Sequence, residues 1–233
     1  MADAGPENPS NALSVAWTDV VQFVRQLSHD LRNYLNAADL TAAYLNEVGT
    51  EAEIKTEIKR LRDSIAAAAR ALQKLSAAIT TPRITTIPYR ASELIEDLRK
   101  KTDSEFPDRS AEIRWETDAT DGLLNVDPQL LQEAIIEVFS NAFSHERGDG
   151  PITARAKIDN QRFVLSLHEP KRRFDLPTEN WGREPLYKVS PGHYGLGLNR
   201  VRAIIEAHRG DLHARYEPGE SVLVTTIALP LSG

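Results

Sequence analysis

His29, Asp30 and Asn33 are the residues of this 233-residue chain whose types and spacing most directly permit group-transfer chemistry. An imidazole at the surface is nucleophilic near neutral pH, because much of it is unprotonated there. The carboxylate of Asp30, next along the chain, can orient that ring or take a proton from it. Asn33 follows His29 at i+4, so a helix places both on one face. A second cluster is Gly192, Gly195 and Gly197, at the head of a helical pattern that runs from about Leu196 to His208 and stops at Gly210. Glycines there let backbone N–H groups approach a phosphate at a helix N-terminus. His168, His193, His208 and His213 show no metal spacing with carboxylates and are expected at the surface or in packing. The chain has no cysteine, which removes thiolate zinc sites, disulfides and cysteine nucleophiles.

The element that carries His29 is written in an apolar ladder. It climbs from Val20 through Val24, Leu27, Leu31, Tyr34, Ala38, Thr41 and Leu45 to Val48, in steps of four and three. Such a heptad seam implies a long helix. Gly49 and Thr50 interrupt it, and a second ladder runs from Ile54 through Ile58, Leu61 and Ile65 to Ile79. Two long helices and a short turn make an antiparallel hairpin. His29 lies two residues past Leu27, the heptad position farthest from the seam, and so faces water. One hairpin cannot bury both seams; two chains forming a four-helix bundle can, and a homodimer is expected.

Pro82 and Pro88 bracket a linker, after which the pattern mixes helix and strand. Residues 91–103 read as a helix and 111–117 as a strand. Asp127 and Pro128 are an N-cap and first-turn proline for a helix through residue 145. Residues 152–158 and 162–168 read as a hairpin turning at Asp159 and Asn160, a loop covers about 170–194, and strands follow at 211–217 and 221–229. The fold class expected is α+β: the hairpin, then helices on one face of a mostly antiparallel sheet. The domains expected are a loose tail over 1–14, the hairpin over 15–81, and the α/β sandwich over 82–233. A formal net charge of −6 makes nucleic acid a poor partner. No apolar run reaches the roughly 18–20 residues of a membrane span, and the N-terminus lacks a secretion signal, so a cytoplasmic location is expected.

The stretch SHDLRNYLNA, residues 28–37, resembles the phosphoacceptor box of bacterial two-component histidine kinases, and the hairpin resembles their dimerisation and phosphotransfer domain. Tyr34 stands where the family has a helix-bending proline, so a straighter helix is expected. The run from Asp30 to Asn33 also resembles the family's phosphatase motif, in which Asn orients water against a phosphorylated receiver. EVFSNAFSH, residues 137–145, resembles the asparagine box of GHKL ATPases. That resemblance implies Asn141 as a ligand of Mg²⁺, a hard ion suited to an amide oxygen. It implies Glu137 as a second metal ligand or water-activating base, and His145 as a partial substitute for a phosphate-contacting lysine. REPLYKV, residues 183–189, resembles the phenylalanine box of the kinase lid, which places Tyr187 at the nucleotide. GHYGLGLNRVRAIIEAHRGDL, residues 192–212, resembles the second glycine box, which assigns Gly192, Gly195, Leu196, Gly197 and Leu198 to ATP phosphates.

The first glycine box is replaced by Glu169-Pro170-Lys171-Arg172-Arg173. The family places an adenine-binding Asp where Glu169 stands, and glycines where Lys171 and Arg173 stand. Crowding is expected to close part of the adenine pocket, with residues 171–173 read as a solvated basic face. The resemblance runs from about residue 20 to the end and implies a transmitter core without a sensor domain. The function expected is that of a histidine-kinase-like phosphorelay protein, passing a phosphoryl group through His29 to an aspartate of a response-regulator receiver, with weak use of Mg-ATP. The alternatives are an ATP-independent histidine phosphotransferase and a non-catalytic regulator-binding module.

Overall fold

In the computed structural model, residues 16–45, 51–79, 81–118, 121–144, 147–183, 185–186 and 194–232 are described. Two helices, α1 (Trp17–Leu45) and α2 (Glu51–Ile79), of 29 residues each, pack along one another as the ladders dictate. Helix α1 passes through Tyr34 without a break. The hairpin leaves apolar side chains in water: Leu35 is 66% exposed, Leu40 73% and Ile65 56%.

The second half begins with β1 (Ile87–Arg90) and α3 (Ala91–Glu105), then β2 (Ile113–Thr117), β3 (Leu123–Val126) and α4 (Pro128–Ser144). It continues with β4 (Ile152–Asp159), β5 (Arg162–Pro170), α5 (Gly197–Ala207), β6 (Asp211–Glu217) and β7 (Val222–Pro230). Five strands form a sheet of order β2-β4-β5-β7-β6, antiparallel except for the parallel β2–β4 pair. Helices α3, α4 and α5 cover one face. Leu94, Phe139, Ile135 and Ile204 meet Phe163, Leu165 and Leu167 there in one core. Each fully buried large apolar side chain of this kind contributes about 1.5–3 kcal/mol.

The caps work as the sequence indicates. Asp127 Oδ1 accepts the Leu130 N–H at 3.1 Å, so α4 starts at Pro128. The His-x-Gly ending of α5 has a structural role. His208 is buried; its Nδ1 lies 2.7 Å from the Ile204 carbonyl, and its Nε2 accepts the Asp127 N–H at 2.9 Å. The ring thereby joins the end of α5 to the start of α4. The β4–β5 turn falls at Asn160 and Gln161, one residue later than the sequence suggests, because both carry positive φ (48° and 58°) and take the two central turn positions. A small sheet of β1 and β3 was not legible in the sequence. Just before it, the Thr85 N–H donates to Asp127 Oδ2 at 3.0 Å, fixing the linker to the head of α4.

Candidate functional site

The His29 side chain is 64% exposed, as the heptad phase requires. Asn33 Nδ2 lies 3.3 Å from its Nδ1, confirming the shared face. Asp30 Oδ1 lies 3.4 Å from the same Nδ1. Asp30 itself is only 6% exposed. Its better contacts lie elsewhere: Gln26 Nε2 donates to Oδ1 at 2.8 Å, and the Tyr194 hydroxyl donates to Oδ2 at 3.0 Å. Burial, and then the adjoining Asp30 carboxylate, push the Tyr194 phenol well above its ordinary pKa.

Tyr194 belongs to the second domain, three residues before α5 begins. It seats against a stripe of α1 made by Phe23, Leu27, Asp30 and Tyr34, spaced by four, three and four. The Phe23 and Tyr194 rings meet edge to face with centroids 5.7 Å apart, and Leu186 and Leu196 pack around them. The Leu186 N–H donates to the Gly195 carbonyl at 2.9 Å, tying residue 186 to the loop that leads into α5. Phe23 and Tyr194 were missed in the sequence. The signal for Phe23 was the second stripe on α1, adjacent to the heptad seam; Tyr194 had none.

In the second domain, Glu137 and Asn141 lie one turn apart on α4. The Glu137 carboxylate reaches the first residue of α5, where a Cβ on Gly197 would run into it. A carboxylate there is favoured by the helix dipole. Gly195 has φ +65°, which bends the loop into α5 with Leu196, Gly197 and Leu198 following. The contact brings Glu137 to the head of α5, beside the loop of Gly195, Leu196, Gly197 and Leu198, with Asn141 one turn further along α4. His145, Tyr187 and Gly192 lie outside the described residues.

The basic run departs from expectation. Arg172 and Arg173 are exposed and pair with Asp149 and Asp175, but Lys171 is 4% exposed and is ion-paired with the equally buried Glu169. Residues 169 and 171 point to the same side of an extended chain, and an ammonium can be buried only beside a counter-charge. Burial raises the Glu169 carboxyl pKa; Lys171 and then Arg147 pull against that shift without cancelling it. The backbone beyond β5 is closed as well: the Gly148 N–H donates to the Pro170 carbonyl and the Lys171 N–H to the Ser221 carbonyl, both at 2.8 Å. Beside it opens a cleft of about 470 Å³ between Glu112, Arg147, Asp149 and Arg172, whose charges pair off as Arg147–Glu112 and Arg172–Asp149. Among the described residues there is no His, Cys, Asp and Glu cluster suited to a metal, and no helix is long and apolar enough to cross a membrane.

Residues 126–233 match the family described as histidine kinase-, DNA gyrase B-, and HSP90-like ATPase. An uncharacterized sensor-like histidine kinase of Rhizobium meliloti (strain 1021) is 21% identical over 230 residues, covering 91% of this chain and 43% of the relative. The chain spans less than half the length of the curated relatives it matches. Among solved structures, histidine kinase ThkA in complex with response regulator protein TrrA superposes with a TM-score of 0.61 at 16% identity, covering 92% of this chain and 63% of that one. Full-length ShkA in complex with AMPPNP gives a TM-score of 0.61 at 14% identity, covering 91% of this chain and 46% of that one. Both share the order of a helical hairpin followed by an α+β domain. Residues 126–233 thus match the model of histidine kinase-, DNA gyrase B-, and HSP90-like ATPases, and the chain as a whole shares the fold of the solved histidine kinases ThkA and ShkA.

Proposed function

We propose that the chain moves phosphoryl groups through His29 in two-component signalling and delivers them to an aspartate of a response-regulator receiver. The observation that carries this is the exposed imidazole with Nδ1 turned to Asp30 and Asn33, on the helix that seats the ATPase-like domain. A carboxylate only accepts hydrogen bonds and the Asn33 amide nitrogen only donates them, so Nδ1 carries the ring proton when it engages Asp30 and lacks it when it accepts from Asn33; the form that engages Asp30 is the reactive one. The Nε2 lone pair is then free to attack phosphorus in line. The N–P bond forms as the bond from phosphorus to the donor's leaving atom breaks, an oxygen in a phosphorylated receiver and the nitrogen in phosphoramidate, and that atom leaves with the electron pair. Asp30 stabilises the positive charge that develops on the ring. A receiver aspartate oxygen next attacks phosphorus and returns Nε2 to its starting state. Asn33 is suited to orienting a water against the phosphorylated receiver. That a kinase of this fold has been captured with its response regulator supports the partner assignment. Purified chain given phosphoramidate or a phosphorylated receiver should take up label through His29; failure with every donor would reject the proposal.

Mg-ATP fits one end of the site. Asn141 and the Gly195–Leu198 loop suit Mg²⁺ and phosphates, whereas the adenine end holds the Glu169–Lys171 pair, whose acceptor is already engaged. One misplaced acceptor in a dry pocket costs about 1–3 kcal/mol, or about 5- to 150-fold in affinity. Calorimetry is expected to give a Kd of about 1 mM or weaker, with little preference for adenine over guanine. Micromolar, adenine-selective binding would restore an autokinase. The buried pair also favours the second reading, an ATP-independent phosphotransferase; label from a receiver but none from radiolabelled ATP would select it.

The working unit is a homodimer through the hairpin, since Leu35, Leu40 and Ile65 stand in water in a single chain. Light scattering should give twice the 25.9 kDa chain mass at micromolar concentration. A monomer there would contradict the dimer, and Leu31→Glu should dissociate or unfold it.

A further inference from the structure

We propose that Tyr194 is a positioning residue for His29: its phenol, carried on the ATPase-like domain, holds the Asp30 carboxylate away from the imidazole, so seating of that domain restrains the histidine and unseating releases it. The inference rests on the reading of His29 as phosphoacceptor. Asp30 is the one charged member of the stripe Phe23, Leu27, Asp30 and Tyr34, against which the second domain packs. A buried carboxylate must be hydrogen-bonded. The domain supplies a donor through Tyr194 at 3.0 Å, and Gln26 supplies another at 2.8 Å, while His29 Nδ1 is left at 3.4 Å. Nitrogen–oxygen bonds weaken beyond about 3.2 Å. The Asp30–His29 contact that selects the reactive tautomer is therefore the loosest of the three.

When the domain lifts from α1, Oδ2 loses the phenol, and the carboxylate returns to water, where it can turn onto the Nδ1–H. The Nε2 lone pair is then fixed for attack. The ring contact between Phe23 and Tyr194 makes the restraint specific: the hydroxyl can be removed while the rings keep their packing. Docking of one domain is thus read directly by the nucleophile of the other, without any contact between Tyr194 and the phosphoryl group.

The test compares the full chain with Tyr194→Phe at fixed pH, each also in an Asp30→Asn background. Nitrogen-15 spectra of the His29 ring, assigned by subtraction of His29→Ala, should show a larger Nδ1–H tautomer fraction in Tyr194→Phe. Phosphoramidate, which tests His29 without ATP or receiver, should label it about two- to tenfold faster, the worth of one hydrogen bond. In the Asp30→Asn background, Tyr194→Phe should change neither reading. An unchanged ring spectrum, or the same change without Asp30, overturns the proposal. Wild-type chain that takes no label from phosphoramidate would defeat the phosphoacceptor reading alone, and the ring spectra would still decide the role of Tyr194.

Discussion

His29→Ala is expected to abolish phosphorylation of the chain, whichever donor is used. Label on the parent protein should be lost in acid and kept in base, the behaviour of a phosphoramidate N–P bond. Protonating the other ring nitrogen makes neutral imidazole the leaving group, whereas base offers no such route. The expectation is all-or-none because the nucleophile forms the bond and no neighbour can replace it. Asp30 has no free oxygen aimed outward, and Asn33 is not a nucleophile. Acid-stable label, or label undiminished in His29→Ala, would remove His29 from the mechanism. Asn33→Ala, by contrast, should leave uptake intact and slow the loss of phosphate from the receiver.

The largest effect on stability is expected at Lys171. Lys171→Ala leaves Glu169 charged and buried, and breaking a buried pair in this way costs about 3–5 kcal/mol. For a chain of this size that lowers Tm by roughly 10 °C. Replacing both partners, as Glu169→Leu with Lys171→Met, should return stability to within about 1–2 kcal/mol of the parent, because an apolar pair of similar volume avoids desolvating two charges. Chemical denaturation of the three chains measures this. If the single variant proves as stable as the parent, the pair does not hold the domain. The pH dependence has a definite sign. Glu169 is raised above its ordinary 4.5 when folded, so the folded state holds its proton more tightly than the unfolded one. Its contribution therefore becomes more favourable as pH falls from the raised value towards 4.5, and is lost as pH rises back through that window. The defect of Lys171→Ala should be greatest at neutral pH and shrink on acidification.

Much of this arrangement was legible in the residues. The four-three ladders gave α1 and α2, and the same phase put His29 in water. The Asp127-Pro128 pair marked the start of α4, and alternation marked β4, β5 and β7. The small sheet escaped notice because β1 and β3 have four residues each, too few for alternation to register, and Pro88 lies inside one of them. Three consecutive cations suggest a solvated face; only the strand pleat places the first of them, Lys171, beside Glu169 in the interior. Tyr194 could not be read at all. Its contact with Asp30 spans 164 positions and depends on how two domains meet, which no local pattern encodes.

The bond from Thr85 to Asp127 has a consequence for how far the two domains can separate. Helix α2 ends at Ile79 and the chain is anchored again at Thr85, so five residues, Pro82 among them, form the whole tether. At ~3.3–3.6 Å per residue such a leash reaches about 20 Å, roughly half the length of the 29-residue helix α1. The ATPase-like domain thus stays near α1 at an effective concentration in the millimolar range or above. An interface as small as one apolar cluster around Phe23 and Tyr194 and one hydroxyl–carboxylate bond can then be populated within the chain, yet be too weak to detect between separated halves. The same leash lets it open and close without the domain ever being lost, so that exchange between domain and receiver at His29 becomes a local competition rather than a search through solution.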